Sequence, residues 1–222
     1  MFIDFHSHTL ASKDSLTRPA DLIRAARRNG LDRLVVTDHN SIAGARAAFE
    51  LDPQLIIVGE EIMTTQGEIL AAFVREEVPA LLSPQETILR LRAQGAFVSV
   101  SHPFDEWRKG GWGEKNLLEI LPLVDAIEVF NSRCMLARFN QRAKEFAARH
   151  NVPVTVGSDA HAAFEAGRAA LRVDSFEDAD SLRRALGSAS VAAARSSSWG
   201  VHLLSRYASI RKKMFRGRLA SD

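Results

Sequence analysis

Six times in this chain a short apolar run ends in residues that can hold a metal ion or a proton. Met1 to Phe5 runs into His6-Ser7-His8, Leu34 to Thr37 into Asp38-His39, and the run beginning at Leu55 into Glu60-Glu61. The same junction recurs at Ser101-His102 after Phe97, at Asn131 after Ala126 to Val129, and at Ser158-Asp159-Ala160-His161 after Val154 to Gly157. Apolar runs this short, bounded at once by polar residues, predict buried strands. Helical patterns lie between them. Pro19 opens one that Gly30 stops, Ser41 caps one to about Leu51, and Ser83 with Pro84 and Glu86 opens one that ends near Gly95. Another runs from about Leu136 to His150, and Ser175 with Asp178 caps a last one to about Leu186, while Ile69 to Val74 reads as an extra strand after a turn at Gln66 and Gly67. The alternation predicts an α/β fold on a mainly parallel sheet, closed as a barrel or open. In such a sheet the C-terminal strand ends share one face, so polar residues spread over more than 150 positions converge there.

Convergence of these residue types has a chemical meaning. Side chains alternate along an extended chain, so His6 and His8 at i and i+2 point the same way and can grip one ion, and Asp159 with His161 repeats that spacing. Imidazole together with carboxylate suits first-row divalent ions such as zinc, manganese, iron or cobalt. His6, His8, His39, His102 and His161, with several carboxylates, are too many ligands for one ion, which implies two or three. Such a cluster lowers the pKa of bound water and neutralises charge on phosphate oxygens, and phosphoester hydrolysis is the reaction that most needs both. Any one of these histidines alone would read as a satisfied structural residue; their joint placement argues otherwise. His150, at a helix end, and His202, in the tail, have structural readings.

The ordered set HSH, Asp14, TDHN, GEEI, SHPFD, IEVFN and GSDAH resembles the polymerase and histidinol phosphatase (PHP) family over about residues 2 to 195. The resemblance implies a distorted (β/α)7 barrel with a trinuclear metal site at the C-terminal ends of the strands. It also implies catalysis by a metal-bridging hydroxide that attacks phosphorus. Carried over by position, one ion takes His6, His8, Glu61 and Asp159, a second shares Glu61 and adds Glu68 and His102, and a third takes Asp14, His39 and His161. Many family members have histidine where this chain has Glu68; a carboxylate there favours manganese or iron over zinc. Adjacent strand residues face opposite ways, so only one of Glu60 and Glu61 can point at the ions, and the alignment selects Glu61. Asp38 is read as a partner that orients His39 rather than as a ligand.

Specificity falls to loops over the metal face. The stretch from His102 to about Asn116 carries Trp107, Arg108, Lys109 and Trp112 among glycines. Arg108 is a candidate to hold a phosphate and a tryptophan to stack a base, against the alternative that both tryptophans pack on the barrel. Asn131 and Arg133 are further candidates for substrate contact.

Charge divides the chain. The formal net charge is +2, yet from Arg195 onward seven basic residues face one acid, leaving 22 basic against 26 acidic residues before it. We therefore expect a PHP domain over residues 1–195 and a basic amphipathic helical tail over 196–222. Leu203, Tyr207, Ile210 and Met214 recur at helical spacing, with Arg206, Arg211, Lys212, Lys213 and Arg216 on the other faces. The expected role of the stripe is packing on the barrel; contact with nucleic acid or an anionic membrane is the alternative. A single cysteine, Cys134, excludes an internal disulfide and a cysteine-built metal site, and nothing marks it as a nucleophile. No secretory signal or run of about 18 apolar residues is present, so cytoplasmic residence is expected. The function expected is metal-dependent hydrolysis of a phosphate ester with two or three Mn, Fe or Zn ions, on a nucleotide or other small phosphorylated metabolite. The alternatives are a 5′–3′ exonuclease on short RNA or DNA and a non-catalytic metal-binding module.

Overall fold

The computed structural model describes the backbone of residues 1–219 and the side chains of residues 1–214. Its strands are β1 (Phe2–Asp4), β2 (Arg33–Val36), β3 (Ile56–Met63), β4 (Glu68–Ala72), β5 (Phe97–Val100), β6 (Ala126–Asn131), β7 (Val154–Gly157), β8 (Ala169–Arg172) and β9 (Ser190–Ala194). Its α-helices are α1 (Pro19–Arg28), α2 (Ala43–Leu51), α3 (Pro84–Ala93), α4 (Glu114–Ile120), α5 (Ala137–Arg149), α6 (Ala179–Ala185) and α7 (Gly200–Leu219). One sheet takes the strands in the order β7-β6-β5-β4-β3-β2-β1-β8-β9. Just past β1 the chain crosses to β7: Phe5 N donates to Val156 O at 3.2 Å, and Ser7 bridges Ala160 in parallel. The sheet therefore nearly closes as a distorted (β/α)7 barrel, while β8 pairs antiparallel with the start of β1 and carries β9 outside it.

The sheet is mixed rather than mainly parallel, with four parallel and four antiparallel neighbour pairs among the described residues. The reason at β4 is the length of its connection. Between β3 and β4 lies a short turn, in which Thr64 Oγ1 donates to Gly67 O at 2.6 Å and accepts from Gly67 N at 3.1 Å; it can only make a hairpin. Reversal puts the first residue of β4, Glu68, opposite Met63 at the end of β3, on the same end of the barrel as the C-termini of the parallel strands.

Local chemistry sets the helix ends. Pro19 is the first residue of α1, and Gly30 turns the chain out of it at φ +75°. Ser83 Oγ accepts from Glu86 N at 3.2 Å to start α3. Two expected caps shift. Ile42, not Ser41, precedes α2, although Ser41 Oγ still accepts from Ala43 N at 3.3 Å, and α6 is capped by Asp178 with Ser181, without Ser175. Helix α4 begins at the end of the stretch expected as a loop to about Asn116, and its remainder, like β8 and β9, carried no sequence signal. Apolar side chains including Ile3, Phe5, Ile62, Ile69, Phe97 and Ile127 fill the main core, and Leu22, Ala26, Leu34 and Ala45 pack α1 and α2 in a second.

The tail is helical, but it docks by a different face from the one expected. Val201 and Ala208 are buried, whereas Leu203, Tyr207, Ile210 and Met214 are all at least half exposed. Polar anchors fix the rotation of α7. The Arg133 guanidinium donates to Val201 O at 3.2 Å and Ser205 Oγ at 2.9 Å, and Lys212 Nζ donates to Leu10 O at 2.6 Å and to Ser12 O. The side chains of Arg216 and Arg218 lie outside the described residues. Among the described residues no helix is long and apolar enough to cross a membrane.

Candidate metal centre

All nine residues expected as ligands meet at one end of the barrel. His6 Nε2 lies 3.3 Å from Glu61 Oε1 and 3.5 Å from Asp159 Oδ1, and His8 Nε2 lies 3.2 Å from Asp159 Oδ1 and 3.6 Å from Glu61 Oε2. His102 Nε2 is 3.2 Å from Glu61 Oε1 and 3.4 Å from Glu68 Oε2. Asp14 Oδ2 is 3.3 Å from His161 Nε2 and 3.5 Å from His39 Nε2. His39 joins the last two groups, because its Nδ1 sits 2.8 Å from Glu61 Oε2. Atoms about 2.0–2.2 Å from one ion lie roughly 3.0–3.5 Å from each other, and most of these separations fall in that range.

Hydrogen bonds fix which imidazole nitrogen faces inward. His6 Nδ1 donates to Glu128 Oε1 at 3.0 Å, and His161 Nδ1 donates to Asp159 O at 2.8 Å. Ser12 Oγ gives its only proton to Asp38 Oδ1 at 2.6 Å, so it must accept from His8 Nδ1 at 3.0 Å. Each ring is left with an Nε2 lone pair aimed at carboxylate oxygens. Among the described residues that nitrogen in His6 and His8 is buried without a hydrogen-bond partner, and so are Asp159 Oδ1 and Asp14 Oδ1. Lone pairs of this kind facing one another in a dry site need protons or cations between them. The donor set and its spacing fit divalent ions.

In the cluster itself protons stand where cations would bind. Against burial, Glu61 and the neighbouring carboxylates hold His6 and His39 well above the ordinary imidazole range, and their positive charges in turn hold the Glu61 carboxyl well below its own range although burial alone would raise it. Asp159 is likewise held low against burial, by Arg108 and His6. Burial and the neighbouring His161 and His39 push His8 down, towards the neutral form a metal requires. Glu60, by contrast, faces away. Its Oε2 accepts only from Val78 N at 3.1 Å, and burial pushes its carboxyl up to about 8. The structure thus separates the two glutamates as strand alternation requires, with Glu61 among the candidate ligands.

Supporting residues carried weaker sequence signals. Glu128 holds two candidate ligands at once, His6 through Oε1 and His102 through Oε2, which accepts from His102 N at 2.8 Å. That bond sits where strain is stored: His102 at φ +23° and Asp159 at φ +52° both occupy the left-handed region. Gly157 has no side chain because a Cβ there would overlap His6 and Glu128. Asp38 binds the Thr9–Ser12 turn, accepting from Thr9 N and Thr9 Oγ1, both at 2.7 Å, and it reaches His8 through Ser12 rather than orienting His39 directly. Buried Asp4 ties β1 to β7, accepting from Ser158 N and Gly167 N at 2.9 Å each. Only burial beside a histidine-bearing strand end could have singled out Asp4.

The loop after β5 supports Glu68. Trp112 Nε1 donates to Glu68 O at 3.0 Å and Glu68 N donates to Gly110 O at 3.0 Å, while side chains at Gly67 or Gly110 would collide with Trp112 or Glu68. Trp112 is therefore a buried clamp with no face for a base, and Trp107 packs edge-on against Phe139. Arg108 reaches the cluster, with one guanidinium nitrogen 2.6 Å from Asp159 Oδ2 and Nε 3.1 Å from Asp105 Oδ2. Asn131 is also there, but its amide is engaged by Glu128 at 3.1 Å and Asp159 at 3.3 Å. Arg133 is turned aside to α7 and lies 3.7 Å from Glu165, whose Oε2 accepts from His161 N at 3.2 Å.

Barrel and cluster define a class: a distorted (β/α)7 barrel whose strand C-termini carry a histidine–carboxylate centre suited to divalent cations. The chain belongs to the PHP domain family, whose profile matches residues 4–94, followed by the PHP-associated region at residues 137–191. An uncharacterised protein of Methanocaldococcus jannaschii is 35% identical over 175 residues, covering 78% of this chain and 70% of the relative. PsfC of Pseudomonas syringae has a similar fold, with a TM-score of 0.66, 19% identity and coverage of 96% and 98% of the two chains. So does a Bifidobacterium adolescentis protein to which metal-dependent phosphoesterase activity is ascribed, with a TM-score of 0.63, 19% identity and coverage of 83% and 95%.

Proposed function

We propose that this protein is a metal-dependent phosphoesterase that hydrolyses a nucleotide or another small phosphorylated metabolite. One observation carries the reading: inward-facing Nε2 lone pairs of His6, His8 and His161 are fixed by bonds at Nδ1 and lie 3.2–3.6 Å from carboxylate oxygens of Glu61, Asp159 and Asp14. His6, His8, Glu61 and Asp159 would hold one ion, Glu61, Glu68 and His102 a second, and Asp14, His39 and His161 a third. When bound, such ions make water acidic enough to supply a nucleophile at neutral pH and offset charge on phosphate oxygens. Glu68 adds oxygen character, which favours manganese or iron over zinc.

The protein's own residues supply orientation and a fixed cation. Glu128, Ser12 and the Asp159 carbonyl hold three imidazoles in the tautomer needed for binding. Arg108 is the guanidinium at the cluster and takes the role of phosphate contact; Arg133 serves α7 instead. Ascription of phosphoesterase activity to a protein of the same fold supports the reaction class.

A second reading, exonucleolytic attack on short RNA or DNA, is favoured by α7, which brings a basic helix to the rim of the site. The test is to measure bound metal, then assay phosphomonoesters, nucleoside bisphosphates and 5′-labelled oligonucleotides with Mn, Fe or Zn, with a chelator as control. Turnover that chelation removes and metal restores is expected. A fully metal-loaded protein inert on the whole panel would leave the non-catalytic module as the correct reading.

A further inference from the structure

Helix α7 carries apolar side chains on two opposite faces, and the protein covers only one of them. At about 3.6 residues per turn, Val201, Ser205, Ala208 and Lys212 share the side that meets the barrel, where Val201 and Ala208 are buried. Leu203, Ile210 and Met214 point the opposite way with Tyr207 at their edge, and the four are between 50 and 71% exposed. One apolar stripe is what a surface helix needs; a second, contiguous and turned to water, marks an interaction face. Cations border it on both sides. Arg206 and Lys213 lie along one flank and Arg211 along the other, all exposed, and the helix sequence holds no acidic residue. Trp199, 65% exposed, stands directly before the helix.

These positions discriminate among occupants. Leu203, Tyr207, Ile210 and Met214 recur at alternating intervals of four and three residues, the seam spacing of a two-stranded coil, which puts Arg206, Arg211 and Lys213 at its flanking positions. Pairing with a second copy in either direction would therefore set cation against cation. The stripe also spans less than two heptads, short for a coil with a separate helix. A nucleic-acid backbone would meet the apolar ridge before the cations, and Lys212 is turned inward to Leu10 O and Ser12 O. An anionic bilayer answers both chemistries, because the ridge enters the acyl boundary while long basic side chains reach back to the headgroups. We infer that the outward face of α7 docks this protein on an anionic membrane surface. Leu203, Ile210 and Met214 insert, Trp199 sits at headgroup level, and Arg206 and Lys213 meet lipid phosphates. This face lies outside the ligand cluster and does not depend on which reaction the cluster performs.

Cosedimentation of the full chain with vesicles tests the docking. Binding to vesicles of equimolar phosphatidylcholine and phosphatidylglycerol is expected to be at least about tenfold stronger than to phosphatidylcholine alone, and to weaken with added salt. No binding to the anionic vesicles, or equal binding to both kinds, overturns the proposal. Leu203→Gln with Ile210→Gln, and separately Arg206→Glu with Lys213→Glu, are each expected to lower the partition coefficient about tenfold or more. These side chains are exposed, so the Tm is expected to stay within about 2 °C of the parent. Parent-level binding by either pair overturns the proposal. Vesicles with brominated acyl chains locate the contact: they are expected to quench tryptophan fluorescence in the parent and not in Trp199→Phe, since Trp112 is buried and Trp107 packs on Phe139. Quenching retained in Trp199→Phe moves the contact to Trp107 and away from α7. Two results would give the face to another occupant and overturn the bilayer: a dimer in sedimentation equilibrium that Ile210→Gln dissolves, or an oligonucleotide that these variants release while vesicles go unbound.

Discussion

The ligand cluster and α7 meet at one rim of the barrel and are built in opposite ways. In the cluster each imidazole is held at its far nitrogen or its backbone, and the candidate ligands come from β3, β4 and the segments after β1, β2, β5 and β7. Helix α7 is one continuous element, held by a few anchors on Arg133 and Lys212 and two buried side chains, with its apolar stripe turned outward. The contrast is one of over-determination. Chemistry at a metal tolerates little misplacement, so its residues are fixed several times over, whereas docking on a bilayer needs only a surface in the right place.

The largest effect expected is at the cluster. Asp159→Asn or His39→Ala lowers turnover by on the order of 10²–10³-fold or more and lowers bound metal, with the far-ultraviolet circular dichroism unchanged. Metal analysis beside the rate makes this decisive: full metal and full rate in Asp159→Asn would remove that residue from the centre. Glu128→Gln follows, with a loss of about 10–100-fold in metal affinity or rate, because two ligands lose their fixing carboxylate. Removing the chain from Trp199 onward leaves p-nitrophenyl phosphate hydrolysis within about threefold and abolishes binding to anionic vesicles. It also lowers the Tm by roughly 3–10 °C, because buried Arg133 loses partners. A truncation as damaging to the small ester as His39→Ala would erase the distinction between the two regions.

The smallest effect separates the neighbouring glutamates. Glu60 has its carboxyl raised from 4.5 to about 8 in the folded state, so folding takes up a proton between those values. Its stabilising contribution is complete below about pH 4.5 and is lost as pH rises towards 8, by at most about 1.4 kcal/mol per unit. Glu60→Gln cannot ionise and flattens that slope, matching the parent at pH 5 and exceeding it by about 1–3 kcal/mol at pH 9. Urea midpoints at the two pH values measure the difference. An unchanged slope would place the proton uptake elsewhere.

What the sequence revealed follows the same division. His6, His8, His39, His102, Asp159 and His161 were legible because each directly follows a short apolar run, and run and ligand together state where a strand stops. The barrel was legible from that alternation and from the family resemblance. The antiparallel placement of β4 was not, because Ile69 to Val74 has the same composition whichever way it runs; direction is set by the Thr64–Gly67 turn. The docked face of α7 was hidden for a related reason. Hydrophobic periodicity selected Leu203, Tyr207, Ile210 and Met214, but rotation is governed by long-range polar anchors from Arg133, 68 and 72 residues from its partners. Arg133 itself, beside Asn131 on the active face, carried no mark of which way it would turn.

The closure of β1 onto β7 orders events in time. His6 and His8 are made about 150 residues before Asp159, Ala160 and Val156, which complete their surroundings. Contacts of such sequence separation are the slow ones in folding, because the chain must close a long loop before they repay its entropy. A cation arriving early meets only scattered histidines. One arriving after Phe5 has joined Val156 meets the assembled cluster, so metal uptake during refolding becomes a clock for the closing of the barrel.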